Sequence, residues 1–200
     1  TGLLNSLSRL HHWHLHLWHG DHGWHPQSAS IAEELEQWCH HQKLKLWISR
    51  AEPGLAGSEA KARQWRYREL DRVAVSIEDL GASECCRHVV TGHTASDKAE
   101  TLLLQLARGT DLAGLVSLRA ERRLHADTNH LIKLVRPLLL FSRSDTGAVC
   151  EALQLPVWID PSNHNLKFAR NRVRQQVIPV LNELYPGCEQ RITSLSNRLS

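Results

Sequence analysis

The sequence predicts an α/β fold in which a parallel sheet is covered on both faces by helices, with a helical extension at the C-terminal end. Three observations carry this reading. Short runs with strand character alternate with longer segments at helical spacing, most strand-like runs run into glycine- or proline-containing turns, and beyond Phe141 only helical signals continue. Strands that alternate with helices imply right-handed crossovers, and such crossovers place helices on both sides of a parallel sheet. At 200 residues and 42% hydrophobic, the chain is long enough for one substantial core and a smaller appendage. The reading divides it into an α/β domain over 1–142 and a helical extension over 143–200.

Leu3, Leu4, Leu7 and Leu10 define a short amphipathic helix over Gly2 to Leu10. From Trp13 to His19 the chain alternates, with Trp13, Leu15 and Leu17 on one face and His14 and His16 on the other, until Asp21, Gly23 and Pro26 end the strand. Ser30 and Glu33 form a capping-box pattern ahead of Ile31, Leu35 and Trp38, which predicts a helix over Ile31 to His40. A short strand, Leu44 to Ile48, follows. A loop containing Pro53, Gly54 and Gly57 then leads to a long polar helix over about Ser58 to Leu80, basic at its front. His88 to Thr91 reads as a strand, and Asp97 to Arg108 as a helix closed by Gly109. A last strand over Leu131 to Val135 precedes Pro137, and helices follow over Ser144 to Leu153, Leu166 to Leu184 and onward through Ile192, Leu195 and Leu199.

A formal charge of +3 permits a polyanionic partner without requiring one. Cys39, Cys85, Cys86, Cys150 and Cys188 form no CxxC pair and no regular framework, which fits a reducing compartment. No apolar run approaches the ~20 residues that span a bilayer.

In sheets of this kind ligands bind beyond the carboxyl ends of the strands, so the turns after strands are where chemistry is expected. In Thr91-Gly92-His93-Thr94-Ala95-Ser96-Asp97, an acidic residue falls at a helix start with Glu100 three residues on. Such a pair of carboxylates can hold magnesium; equally, Ser96 or Asp97 can serve only as a helix cap. The histidines between His11 and His25 invite a zinc reading, but His16-Leu-Trp-His19-Gly-Asp21-His22 misses a metallo-hydrolase spacing by one residue. A polar sheet surface accounts for many of them. Basic residues gather at Lys61, Arg63, Arg66 and Arg68 and again at Lys167, Arg170, Arg172 and Arg174. Arg170 and Arg174, four apart on one helix, share a face suited to gripping phosphates, or to solvent. Arg63 and Arg66 have the spacing to clamp an anion or to pair with Glu59 and Glu69.

Read together, five tracts carry a resemblance: His19-Gly-Asp21-His22-Gly-Trp-His-Pro-Gln-Ser28; Glu59-Ala-Lys-Ala-Arg63-Gln-Trp-Arg66-Tyr67; Gly92-His93-Thr-Ala-Ser-Asp97-Lys-Ala-Glu100-Thr101; Arg136-Pro137-Leu138-Leu139; and Asp160-Pro-Ser-Asn163 through Ala169-Arg170-Asn171-Arg172-Val173-Arg174. The chain resembles the tRNA(Ile)-lysidine synthetases, members of the N-type ATP pyrophosphatase (PP-loop) group, over nearly its whole length. The resemblance implies an adenine nucleotide alpha hydrolase-like, Rossmann-like fold, and a ligase that joins free L-lysine to C2 of the wobble cytidine in the CAU anticodon of tRNA(Ile). The reaction uses ATP and magnesium, passes through an adenylated tRNA, and runs in the cytoplasm or a plastid stroma. The family pattern HHxxDxxET is met by His93, Asp97, Glu100 and Thr101, with Thr94 in place of the second histidine. By the same resemblance, Asp97 carries the magnesium and catalytic role and Arg63 or Arg66 meets ATP or lysine. His19, Asp21, His22, His93, Glu100 and Thr101 line the ATP and substrate site, and Arg136, Asn163, Arg170, Asn171, Arg172 and Arg174 face the tRNA. The family's SGGxDS loop is not among these residues and methionine is absent. The expectation is therefore an upstream strand and loop truncated before Thr1, with the fragment inactive without them. A thiolating relative of the same fold and a non-catalytic RNA- or nucleotide-binding remnant are the alternatives.

Overall fold

The structure, a computed structural model, describes residues 1–52, 54, 58–78, 86–115, 118–125 and 131–199. Pro53, Gly57, Leu80 and Cys85, which enter the sequence reading above, lie outside the described residues. The chain packs as two compact units. The first comprises Thr1–Val89, Leu124–Ile132 and Trp158–Ser162, and the second Val90–Arg123, Lys133–Val157 and Asn163–Ser200. The fold class is the expected α/β one.

In the first unit, α1 (Gly2–His11) is followed by β1 (His16–Asp21), α2 (Ser28–His41), β2 (Lys45–Arg50) and α3 (Glu59–Glu78). β1 and β2 pair in parallel, with His16 opposite Lys45 and Asp21 opposite Arg50. Parallel pairing needs a crossover, and α2 supplies it, packing against both strands while α3 packs against β1. α2 buries Ala32 and Cys39, small residues that allow close approach to the sheet. Ile31, Leu35 and Trp38, expected on the inner face, are only half-buried. The expected capping box does not form. The helix starts earlier, at Ser28, with Gln27 as its cap, and Ser30 lies inside the first turn donating its hydroxyl to the Gln27 carbonyl at 2.9 Å. α3 turns Ala62, Trp65, Leu70, Val73, Ala74 and Ile77 inward, so its basic front is the outer side of an amphipathic helix.

The second unit holds α4 (Ala95–Ala107), α5 (Leu112–Leu115), β4 (Glu121–Arg123), β5 (Lys133–Val135) and α6 (Arg143–Ala152). A 3-10 turn (Pro161–His164) opens the final helical stretch. It leads to α7 (Ala169–Arg172), a π turn (Val173–Val177), α8 (Ile178–Leu184) and α9 (Cys188–Leu199). β3 (His88–Val90) joins a three-stranded sheet in the order β3-β5-β4, in which β4 and β5 are antiparallel. β4 has no counterpart in the sequence reading. Its residues, Glu-Arg-Arg, lack apolar alternation, and only Arg122 is half-buried. The helix expected over Leu166 to Leu184 is helical only from Ala169 and is interrupted by the π turn. Gly109, at φ 73°, ends α4 in the left-handed region that favours glycine. The unit's core is built on Ala99 and Leu102 of α4 with Leu118, Leu134, Leu139 and Ile178.

Candidate functional site

In the first unit, β1 delivers its tract at its carboxyl end. Asp21 is buried, and its Oδ1 accepts from the Gly23 N–H at 2.8 Å, a tight turn made possible by φ 64° at Gly23. Its Oδ2 lies 3.9 Å from Arg50 Nε. His22 is ringed by aromatics, stacked on Trp24 at 5.1 Å and edge-on to Trp65 at 4.8 Å. Burial, then the Arg66 guanidinium, push its pKa down to about 4. The ring is therefore neutral at physiological pH, and Nε2, 3.3 Å from Arg66 Nη2, is the acceptor. His19 is also lowered by burial, against the opposing pull of Asp21 and Asp160.

Arg63 rests over the Tyr67 ring at 5.3 Å. Glu69, which the spacing offers as a partner for Arg63 or Arg66, binds Arg72 at 2.8 Å. Three of the seven histidines between His11 and His25 pack on tryptophan: His11 stacks on Trp13, His16 on Trp47 and His22 on Trp24. Among the described residues no three His, Cys, Asp or Glu side chains gather as a metal site.

In the second unit the third tract forms the start of α4. Thr94 is the N-cap, where the sequence reading placed Ser96 or Asp97. Asp97 sits at the third helical position and completes a capping box, its Oδ2 accepting from the Thr94 N–H at 2.8 Å and hydroxyl at 2.9 Å. Burial raises the pKa of the Asp97 carboxyl. The two Thr94 bonds, with Arg143 and His93 beside it, outweigh that and hold it below its ordinary value. His93 Nδ1 lies 2.9 Å from the Thr91 hydroxyl.

One turn on, Glu100 is fully buried and closed by three guanidinium groups. Arg174 donates from Nε to Oε1 at 2.7 Å and from Nη2 to Oε2 at 3.1 Å. Arg170 Nε lies 3.3 Å from Oε2, and Arg143 Nη1 donates to Oε1 at 3.3 Å. Arg143 Nη2 also donates to Asp97 Oδ1 at 3.3 Å, and Arg174 Nη2 lies 3.8 Å from that oxygen. Thr101 ties the arrangement to the helix, accepting from Arg170 Nη2 at 2.7 Å while donating to the Asp97 carbonyl at 2.7 Å. Three arginines against two carboxylates leave a net charge of +1, which favours an anion. Arg174 belongs to the π turn, a local widening that often marks functional positions. Burial works against its charge, yet Glu100 and Asp97 raise its pKa further.

This geometry bears on three expectations. Glu100 does not fit a magnesium ion, because both its oxygens are taken by guanidinium donors in a buried setting. Asp97 fits better, since among the described residues its Oδ1 has only the two longer contacts, and magnesium commonly takes one or two carboxylates. Arg136, expected to face RNA, is 3% exposed and donates from Nη1 to the Arg119 carbonyl at 2.6 Å. Asn171 is likewise buried, its amide donating to the Asn165 carbonyl at 2.9 Å. Arg172 is exposed and reaches Gln176 at 3.4 Å, and Asn163 is exposed with its carbonyl accepting from Gln175 at 2.8 Å. Sequence reasoning missed Arg143, which belongs to no family tract; its one signal is its place at the start of a capped helix.

Residues 1–181 match the family model described as a PP-loop domain, and the chain belongs to that family. Its relatives include proteins named tRNA(Ile)-lysidine synthase. That of Parasynechococcus marenigrum (strain WH8102) is 57% identical over 198 residues, covering 99% of this chain and 56% of the relative. That of Prochlorococcus marinus (strain SARG / CCMP1375) is 46% identical over 198 residues, covering 99% and 58%. The chain thus spans just over half the length of these relatives. Among solved structures, the U34-tRNA thiolase NcsA from Methanococcus maripaludis with its [4Fe-4S] cluster aligns with a TM-score of 0.66 at 16% identity. The alignment covers 91% of this chain and 60% of that one, a likeness of fold.

Proposed function

We propose that the protein is a tRNA(Ile)-lysidine synthetase, joining the ε-amino group of free L-lysine to C2 of the wobble cytidine in a CAU anticodon. The observation that carries the reading is the cluster of Asp97 and Glu100 with Arg170 and Arg174, all four from family-matching tracts, in a chain 57% identical to a relative of that name. In the first step the cytidine O2 attacks the α-phosphorus of ATP and pyrophosphate leaves. In the second the lysine amine attacks C2, AMP leaves with the oxygen, and the amine gives up a proton. Each step gathers or releases phosphate charge, so fixed positive groups aimed at the reacting phosphoryl group are the main requirement.

In the second unit Arg170 and Arg174 would supply such groups, their guanidinium groups oriented by Glu100; in the first unit, described by itself, Arg63 and Arg66 carry the same chemistry, with Arg66 beside neutral His22. Asp97 would hold magnesium through Oδ1, and the ion would supply charge neutralisation at the phosphates. His19, Asp21 and His22 in the first unit, and separately His93 and Thr101 in the second, are the residues assigned to nucleotide or lysine binding. Exposed Arg172 and Asn163, with the outer edges of Arg170 and Arg174, face the anticodon loop, where phosphate contacts set register and the target base is drawn from the stack. Among the described residues no helix is long and apolar enough to cross a membrane. By the family resemblance, the proposed setting is the cytoplasm or a plastid stroma.

The test uses the complete gene product with tRNA(Ile), ATP and labelled lysine. We expect lysine incorporation, lowered at least ~100-fold by Asp97→Ala while tRNA affinity stays within about twofold, the scale of removing one group that stabilises charge in a transition state. No incorporation by the unaltered protein, or unchanged turnover in the variant, sinks the proposal.

A further inference from the structure

We propose that Arg143 is a third substrate-facing arginine, contacting a phosphoryl oxyanion, and that Asp97 and Glu100 serve to aim it. The inference deepens the proposed function and rests on it for the kind of substrate involved. Three observations carry it. Arg143 is the first residue of α6, fixed there by the Ser142 cap and by its own backbone N–H, which donates to the Ser96 hydroxyl at 3.2 Å. From that anchored position its side chain reaches back to α4 and divides its donors, Nη1 to Glu100 and Nη2 to Asp97, each at 3.3 Å.

A guanidinium carries five N–H donors, so among the described residues these two bonds leave three for a ligand. Its side chain is 44% exposed, against 22% for Arg170 and 26% for Arg174, so of the three it has the most surface to offer. Both bonds are longer than the ~2.7–2.9 Å of tight charge-assisted pairs. Arg174, by contrast, is locked on Glu100 at 2.7 Å. Arg143 is therefore oriented without being saturated, the condition for delivering a planar donor fork to two oxygens of a phosphoryl group. The oxyanion comes either from the nucleotide's phosphates or from the RNA backbone; the chemistry is shared and the two are separable by experiment.

Arg143→Ala and Arg143→Lys would be compared with the unaltered complete protein in three measurements. These are the affinity for inorganic pyrophosphate by calorimetry, the slope of tRNA affinity against salt, and the thermal midpoint. A nucleotide-phosphate contact predicts at least about tenfold weaker pyrophosphate binding in Arg143→Ala. An RNA-backbone contact instead predicts that the salt slope falls by about one. In either case Arg143→Lys keeps part of the effect, because the charge stays and the fork is lost, and the midpoint stays close to that of the unaltered protein. Both binding measurements unchanged would overturn the proposal. So would losses that track a fallen midpoint in Arg143→Ala and vanish in a folded Arg143→Lys, since Arg143 would then be structural alone. Neither binding readout requires lysine transfer, so failure of the proposed reaction and failure of this contact are distinguishable.

Discussion

Glu100 shows at the residue scale how much a single carboxylate can organise. It is buried with both oxygens facing guanidinium donors, and no partner among these lies closer than 43 positions in the chain. Removing one member of a buried ion group strands the others, typically at a cost of about 3–5 kcal/mol. Glu100→Gln is therefore expected to lower unfolding free energy by roughly 3 kcal/mol in denaturant titration; a loss no larger than for an exposed Glu→Gln control would show that the cluster contributes little. His22 supplies a pH prediction. Its folded pKa of about 4 lies below the ordinary 6.5, so the unfolded chain takes up the proton first as pH falls. Stability from this residue is full above pH 6.5 and is lost as pH falls toward 4. His22→Gln should flatten the stability curve over that window, and an unchanged slope would refute the assignment.

At the scale of elements, the start of α4 links fold to site. Thr94 caps the helix and at the same time donates twice to Asp97. Thr94→Ala should cost about 1 kcal/mol of stability. It should also raise the Asp97 pKa, because the hydroxyl bond that favours the carboxylate is gone while burial remains. A carboxylate titration by NMR reads the shift, and an unmoved Asp97 would separate the cap from the site. The same scale shows where periodicity is legible. α1, α4, α6, β2 and β3 lie within two residues of the bounds their spacing and turn signals predict, and α4 does so with Ala99 and Leu102 turned inward. β1 starts three residues later than Trp13 and runs to Asp21, since its end is set by pairing with Arg50 of β2 rather than by its own alternation. Ser30 and Glu33 have capping chemistry, but the helix already begins at Ser28. β4 is set by its pairing with β5, and three charged residues in a row carry no local sign of it.

The whole molecule comprises two compact units, each with residues from several parts of the chain. The first carries a histidine and arginine group built on β1 and α3; the second carries a carboxylate and arginine group built on α4, α6 and the final helices. The α/β class, the order of most elements and the five tracts that place the chain in the PP-loop family were legible in the sequence, because periodicity and turn chemistry are local and motif spacing survives along the chain. Asp97, Glu100, Arg170 and Arg174 were legible as candidates for the same reason. Only the tertiary structure decided what these groups do to one another. It closed Glu100 with arginines, left Asp97 Oδ1 with longer contacts than Oδ2, turned Arg136 and Asn171 inward and brought Arg143 up to both carboxylates. Ion pairing and burial depend on distance in space and on exclusion of water, and neither is written in the spacing of residues along one strand or helix.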